Sequence, residues 1–438
     1  MDFNDNLIVE NFSAISNEVL NGKNHKRSEF VHRLFQYPAM MVPTAQEPLL
    51  KIMSDYLPEK SWVFDPFMGS ATSLVTAMKY GFNLYGQDIN PLSVLISKVK
   101  TGPYCNDQLE SELSLVFDEI KQDKSNRTDI NFTNIDKWFN IRVKTDLSKI
   151  RRAILKLDNL NIRRFLWVSF AETIRLTSND RTSTFKLHAR PIDEIKKRNV
   201  FPIQVFKELV LRNLNDLKNY KKILDESGLI EDGYYKRSVE INWGDTTKPV
   251  KSDNKFEVMF TSPPYGDNHT TVTYGQFSYL PLQWIPIEDI CETIPYNYLE
   301  TTLAIDRKSL GGKPIKEINL VKEELCSYSN TLGEFYTSLL DHEYSKAFKV
   351  LYFYNDLFIS IKNILDALTD NAFLVWTIGN RHVVGKELNN SKILSELLES
   401  FGVNLISDLK RDILNKRMPA RNNYSQTMKK ENVLIFRK

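Results

Sequence analysis

Residues 256–265 read FEVMFTSPPY, an apolar run leading straight into Ser262, Pro263, Pro264 and Tyr265. Proline has a fixed φ and no N–H, so the pair makes a stiff turn that presents carbonyl oxygens. A hydroxyl stands before the turn and an aromatic ring after it. A surface turn or polyproline II segment is the alternative, and an apolar strand entering the motif speaks against it. A second pair of chemistry-bearing residues is Asp65 and Asp88, 23 positions apart, each closing a short apolar stretch. A carboxylate at the end of the second strand of a β-α-β unit accepts hydrogen bonds from ribose hydroxyls. One at the tip of the first strand suits a cation, such as the ammonium of an amino acid.

The elements around these residues follow from local pattern. Trp62, Val63 and Phe64 read as a short buried strand, and Asp65, Pro66 and Gly69 form the turn after it. A helix is expected from about Ser70 to Tyr80, with Leu74, Val75, Ala77 and Met78 on its apolar face and Gly81 ending it. FNLYGQD is a second strand, closed by Asp88. The turn is not G-x-G-x-x-G, which counts against a dinucleotide, and it should bring backbone N–H groups close to a ligand. S-adenosylmethionine combines a ribose with an amino-acid tail and fits both acids. Further on, an amphipathic helix through LFISIKNILDAL leads into a strand in NAFLVWTIGN, residues 371–380. VNLISDLKRDI and ENVLIFRK read as two final strands.

DPFMGSAT resembles the cofactor motif of amino-methylating DNA methyltransferases, usually D-P-F-x-G-S-G-T, and TSPPY resembles their catalytic motif, [DNS]-P-P-[YFW]. The Ser form is similar to that of enzymes acting on N4 of cytosine. The resemblance implies a Rossmann-like, S-adenosylmethionine-dependent α/β sheet carrying a large helical insertion. It implies cofactor contacts from Tyr37, Asp65, Phe67, Gly69, Thr72, Asp88, Ile89 and Asp245. HRLFQYPAMM, with Tyr37, Pro38 and Ala39, resembles the segment that closes over the methionine part, and Asp245 in INWGDTTK matches an acid at the adenine end. Catalytic contacts fall to Ser262, Pro263, Pro264 and Tyr265. A base inside a duplex hides its amino group, so it must be flipped out. By analogy, Ser262 and the Pro263 carbonyl then accept from the amine while Tyr265 stacks on the ring. Ala71 stands where the family has its last glycine, which would weaken cofactor binding if that position needs φ > 0.

The motif order and the gap of about 150 residues before Asp245 divide the chain. Residues 1–103 form the N-terminal part of the methyltransferase domain, 104–238 a helical insertion that is the candidate DNA-recognition region, and 239–438 the C-terminal part. That last part holds a second insertion at about 286–345, in which SLGGKP reads as a mobile turn. Ile203, Val210, Leu217 and Leu224 recur every seventh residue, a pattern of core packing more often than of a coiled coil. Residues 141–200 hold fifteen Lys or Arg against six Asp or Glu. With a whole-chain net charge of +3, this local excess of +9 leaves −6 elsewhere, which points to a polyanion-binding patch or a solvated helical face. Within it, residues 173–191 interleave hydroxyls with Arg, Lys and His in a way suited to phosphate. Lys416, Arg417, Arg421, Lys429 and Lys430 offer a second basic edge.

No run of about 18 apolar residues suggests a membrane span, and the start does not read as a signal peptide. Cys105, Cys291 and Cys326 are scattered, which fits a reducing cytoplasm and no metal site. None follows a proline, which disfavours C5-cytosine chemistry through a covalent cysteine. The expected partner is double-stranded DNA in a bacterial, nucleoid-associated setting, with a possible restriction endonuclease acting on the same site. N6-adenine methylation, an RNA substrate and a non-catalytic DNA-binding subunit are the rival readings.

Overall fold

The computed structural model describes residues 5–413 and 430–438, apart from residues 24, 27, 104, 105, 293, 341 and 342. Seven strands form one sheet: β1 Trp62–Asp65, β2 Asn83–Asp88, β3 Val239–Trp243, β4 Phe256–Thr261, β5 Leu368–Ile378, β6 Asn404–Asp412 and β7 Lys430–Arg437. Their order across the sheet is β3-β2-β1-β4-β5-β7-β6. Strands β1 to β5 run parallel, while β7 lies antiparallel between β5 and β6. The chain steps outward from β1 to β3, then returns to the other side of β1 for β4. Strand order therefore reverses between β1 and β4, and a crevice opens beyond their carboxyl ends. Asp65 stands at one of those ends and Ser262 follows the other.

The central strands are buried on both faces and read as continuous apolar runs, whose successive residues point into opposite clusters. Val63, Leu84, Val258, Phe260, Val375 and Val433 point into one apolar cluster. Phe64, Tyr85, Met259, Leu374, Trp376 and Leu434 point into another. Each such side chain, fully buried, stabilises the fold by about 1.5–3 kcal/mol.

Helices α1 Thr72–Met78, α2 Pro91–Lys100, α3 Leu160–Thr177, α4 Pro202–Glu226 and α5 Tyr274–Leu282 cover the first face. Helices α6 Tyr344–Ala367 and α7 Asn390–Glu399 cover the second. The residues between β2 and β3 are helical, as expected, and their core is continuous with the sheet's own first face. On α4, Val210, Leu217 and Leu224 are buried in that cluster and Ile203 packs at its edge, so the seven-residue spacing is a packing stripe.

One expectation about a loop changes. SLGGKP is anchored: the Gly311 N–H donates to Asp356 Oδ2 at 2.8 Å, and an added Cβ would come within 2.9 Å of the Phe353 backbone. Leu310 beside it is buried. Of the second basic edge, Lys416, Arg417, Arg421 and Lys429 lie outside the described residues, as does Cys105; Lys430 begins β7 and is exposed.

Candidate active site

Beyond the ends of β1, β2 and β3 lies a cavity with an empty volume of about 850 Å³, partly open to solvent. Tyr37, Phe67, Gly69, Thr72, Asp88, Ile89 and Asp245 line it, together with Ser262 and Pro264. The residues that sequence reasoning assigned to the cofactor are thus brought together, with Asp65 the exception. Asp65 is fully buried behind the turn, where it accepts Thr261 Oγ1–H at 2.6 Å, the Phe67 N–H at 3.0 Å and the Ser73 hydroxyl. It ties the end of β1 to the end of β4 and the start of α1. Burial pushes its carboxyl up to about 7 against those three donors, which pull the other way.

The turn between β1 and α1 uses left-handed backbone twice, at Gly69 (φ 49°) and at Ala71 (φ 58°, ψ 32°). The position of the family's last glycine does need positive φ, and an alanine occupies it. Four of the turn N–H groups, expected to approach a ligand, are taken by the protein itself. Phe67 donates to Asp65, Met68 to the Gln87 carbonyl at 3.2 Å, Gly69 to Asp88 Oδ2 at 2.9 Å and Ala71 to the Met68 carbonyl at 2.7 Å. These bonds shape the floor of the cavity.

Asp88 accepts the Gly69 and Asn90 N–H groups, at 2.9 and 2.8 Å, and its carboxylate lies on the cavity wall. Burial holds its carboxyl above the usual range. Trp243 Nε1–H donates to the Ile89 carbonyl at 2.9 Å and fixes the strand tip. Asp245 closes its own turn by accepting the Thr247 N–H at 3.0 Å and hydroxyl at 2.7 Å. On the opposite wall, the Tyr37 phenol accepts from Asn90 Nδ2 at 2.9 Å, and its ring stacks on Tyr274 at 5.7 Å between centroids.

Ser262 also lines a second, larger cleft of about 2880 Å³, shared with Pro263 and Tyr265. The proline turn therefore forms the partition between two spaces. Tyr265 donates to Glu431 Oε1 at 3.0 Å, and its hydroxyl lies 3.4 Å from Ser262 Oγ. A Cβ at Gly266 would meet the Arg381 guanidinium, so any side chain there would require that arginine to move.

No family model matches the chain. A Type II methyltransferase of Kocuria varians, M.MvaI, is 32% identical over 444 residues, covering 96% of this chain and 94% of that protein. This chain belongs to the Type II methyltransferase family. A shorter stretch, 28% of this Type II methyltransferase, is 32% identical to part of M.MjaII of Methanocaldococcus jannaschii, covering 24% of that protein. An rRNA methyltransferase of Streptomyces viridochromogenes overlaps 91% of the chain and 86% of its own at 9% identity and a TM-score of 0.31, a likeness too slight to argue from. The methyl donor of the family is S-adenosylmethionine, and the cavity suits it. It offers a partly buried acid at the β2 tip, aromatic and methionine side chains at Tyr37 and Met40, and a second acid at Asp245.

Sequence reasoning missed the parts that come from the stretch between α5 and α6 of this methyltransferase. Ile305, Lys308, Ser309 and Leu310 wall the cofactor cavity. Asp306, fully buried, accepts the Gly275 N–H at 2.9 Å, the Gln276 N–H at 3.3 Å and Asn268 Nδ2–H at 3.1 Å. It so caps α5 and holds the loop after the catalytic motif. Asn90 caps α2 and reaches Ser278 as well as Tyr37; the signal for it in the sequence is the Asn-Pro pair that starts a helix.

The basic segment is corrected in part. Thr173, Arg175, Thr177 and Ser178 are buried: the hydroxyls of Thr173 and Thr177 bond within α3, and Arg175 pairs with Glu172 at 3.0 Å. These residues cannot meet phosphate. Arg152 is held by Asp123 and Asp129, Arg163 by Asp289, and Arg151 by the Trp284 carbonyl. Arg181, Lys186 and His188 are exposed, on a loop that docks on α5 through Phe185 and Leu187.

Proposed function

We propose that this methyltransferase modifies double-stranded DNA at a specific site, moving a methyl group from S-adenosylmethionine to the exocyclic N4 of cytosine. One observation carries the reading: Ser262 faces both spaces, the cofactor cavity and the larger cleft. A target amine held there from the cleft side would meet the cofactor across the proline turn. When bound, the cofactor supplies an electrophilic methyl on a sulfonium. The protein's part is to orient and exclude. Ser262 Oγ and the Pro263 carbonyl accept from the amine and direct its lone pair, the Tyr265 ring stacks on the base, and Asp88 and Asp245 receive the ribose and adenine ends. Positioning and local electrostatics of this kind carry most of such a displacement. Asp65 acts from behind, keeping the two strand ends in register. The loop around Arg181–Arg190 is the part of the helical insertion offered to DNA, docked on the start of α5.

The Ser form of the proline motif supports cytosine over adenine. Nucleoside mass analysis of DNA from cells expressing the protein is expected to show N4-methylcytosine, and to lose it when Ser262→Ala lowers turnover by about 10²-fold. N6-methyladenine in its place would overturn the choice of base. A role in restriction–modification predicts that the methylated DNA resists an endonuclease cutting the same site.

A further inference from the structure

Tyr265 is gripped at both ends. Its carbonyl accepts from Asn390 Nδ2 at 3.0 Å, and Asn390 is fully buried, also donating to the Gly379 carbonyl at 2.8 Å and accepting the Tyr354 hydroxyl at 2.6 Å. At the other end the phenol donates to Glu431, which pairs with Arg411 at 3.3 Å. Arg411 and Glu431 face each other across the β6–β7 ladder, and both side chains are largely buried, at 8% and 16% exposure. The carboxylate is thus placed by the backbone of a hairpin and by a cation that is itself constrained.

This arrangement fixes a direction. A phenol has a single proton, and here it is committed to Glu431. Burial and the neighbouring carboxylate both raise the Tyr265 hydroxyl well above its ordinary range, so the proton stays on. The phenol oxygen can then only accept from Ser262, 3.4 Å away. Ser262 spends its own proton on Tyr265 and turns its lone pairs to whatever stands in the cleft. Without Glu431 the phenol could donate to Ser262 instead and cover the lone pair that a substrate amine needs.

We propose that Glu431, braced by Arg411, is a positioning residue that holds the Tyr265 ring upright and sets Ser262 as an acceptor for the target amine. The proposal rests on the reading of Ser262 and Tyr265 given above. Neither Glu431 nor Tyr265 lines the cofactor cavity, so its effect belongs on turnover and not on cofactor binding.

The test is a double-mutant cycle of Glu431→Ala and Tyr265→Phe in the full-length protein, assayed with tritiated S-adenosylmethionine and unmethylated plasmid DNA. Each single variant should lose about tenfold in kcat, the worth of one hydrogen bond to a charged group. KM for the cofactor should be unchanged, and the double variant should be no slower than the slower single. Effects that multiply, a wild-type kcat in Glu431→Ala, or a loss confined to cofactor KM would each overturn the proposal. If Glu431→Ala does not fold, Glu431→Leu, which fills the space and offers no acceptor to the phenol, takes its place under the same criteria. Tyr265→Ala separates the two levels: full activity there sinks the reading of the motif itself, whereas an inactive Tyr265→Ala beside a fully active Glu431→Ala sinks only the positioning role.

Discussion

Asp65 shows how a residue can be found by sequence and still be misjudged in its role. The motif marks it as an acid at a strand tip, yet its partner Thr261 lies 196 positions away and becomes a neighbour only because β4 pairs with β1. A hydrogen bond across a switch point leaves no local trace in sequence. The consequence is measurable. The carboxyl sits at about 7 in the fold against 3.8 ordinarily. Below 3.8 folded and unfolded chains both hold the proton; between the two values only the folded chain does, so stability falls as pH rises through 7. Urea unfolding of the ligand-free protein should therefore show wild type losing stability between about pH 4.5 and pH 7.5 and levelling off above, on the order of 3 kcal/mol from this group. Asp65→Asn should lose distinctly less, and equal slopes would refute the assignment. Ala71 is the counterpart case, a departure that sequence flagged correctly. Its left-handed backbone costs about 1–2 kcal/mol relative to glycine, and its fully buried methyl recovers about 0.8 kcal/mol. The net penalty is small enough for the turn to keep its shape.

At the scale of elements, the parallel strands were legible because burial on both faces makes them short apolar runs with an acid or proline at the end. The last two strands were legible from their pattern as well. What could not be read was which helices brace the cofactor cavity, since that depends on contacts between distant segments. Asp216 on α4, with a fully buried side chain, takes Arg33 in a bidentate pair at 2.6 and 2.7 Å, and Asn213 donates to the Leu34 carbonyl at 3.1 Å. The helical insertion so holds the segment carrying Tyr37, four residues beyond Arg33. Arg33→Ala would leave a buried carboxylate without its cation and should cost about 3 kcal/mol, the low end for such a loss because Arg33 is 38% exposed. The dissociation constant for S-adenosylmethionine should rise with it. Lys222→Ala, which breaks an exposed pair with Glu226 on the same helix, should stay within about 0.5 kcal/mol. Thermal unfolding and cofactor titration of both variants check this, and an unchanged cofactor affinity in Arg33→Ala would show that α4 does not support the cavity.

For the whole molecule, composition points to residues 141–200 as the polyanion-binding surface, and the fold redirects that expectation. Charge counted along a sequence ignores pairing, and much of this excess is spent on Asp123, Asp129, Asp289, Glu172, Glu119 and Asp136. The large cleft that Ser262 faces is lined by Lys23, Lys346, Lys349 and Arg381, from three separate stretches of chain that no window over the sequence would group. Lys346 and Lys349 have no ion pair among the described residues, stand at the start of α6 and share the cleft with the proline turn. Phosphates of a duplex entering the cleft would replace counterions there, and each such contact steepens the fall of affinity with salt. Lys346→Ala with Lys349→Ala should weaken binding to a duplex fragment and reduce the slope of log K against log salt by about 2. Lys196→Ala with Lys197→Ala, both exposed on the insertion, should leave the slope where it is. The reverse pattern would put the phosphate track on the outer face of the helices. The duplex would then approach away from the cleft, and a flipped base could not reach Ser262 from the side on which Tyr265 waits.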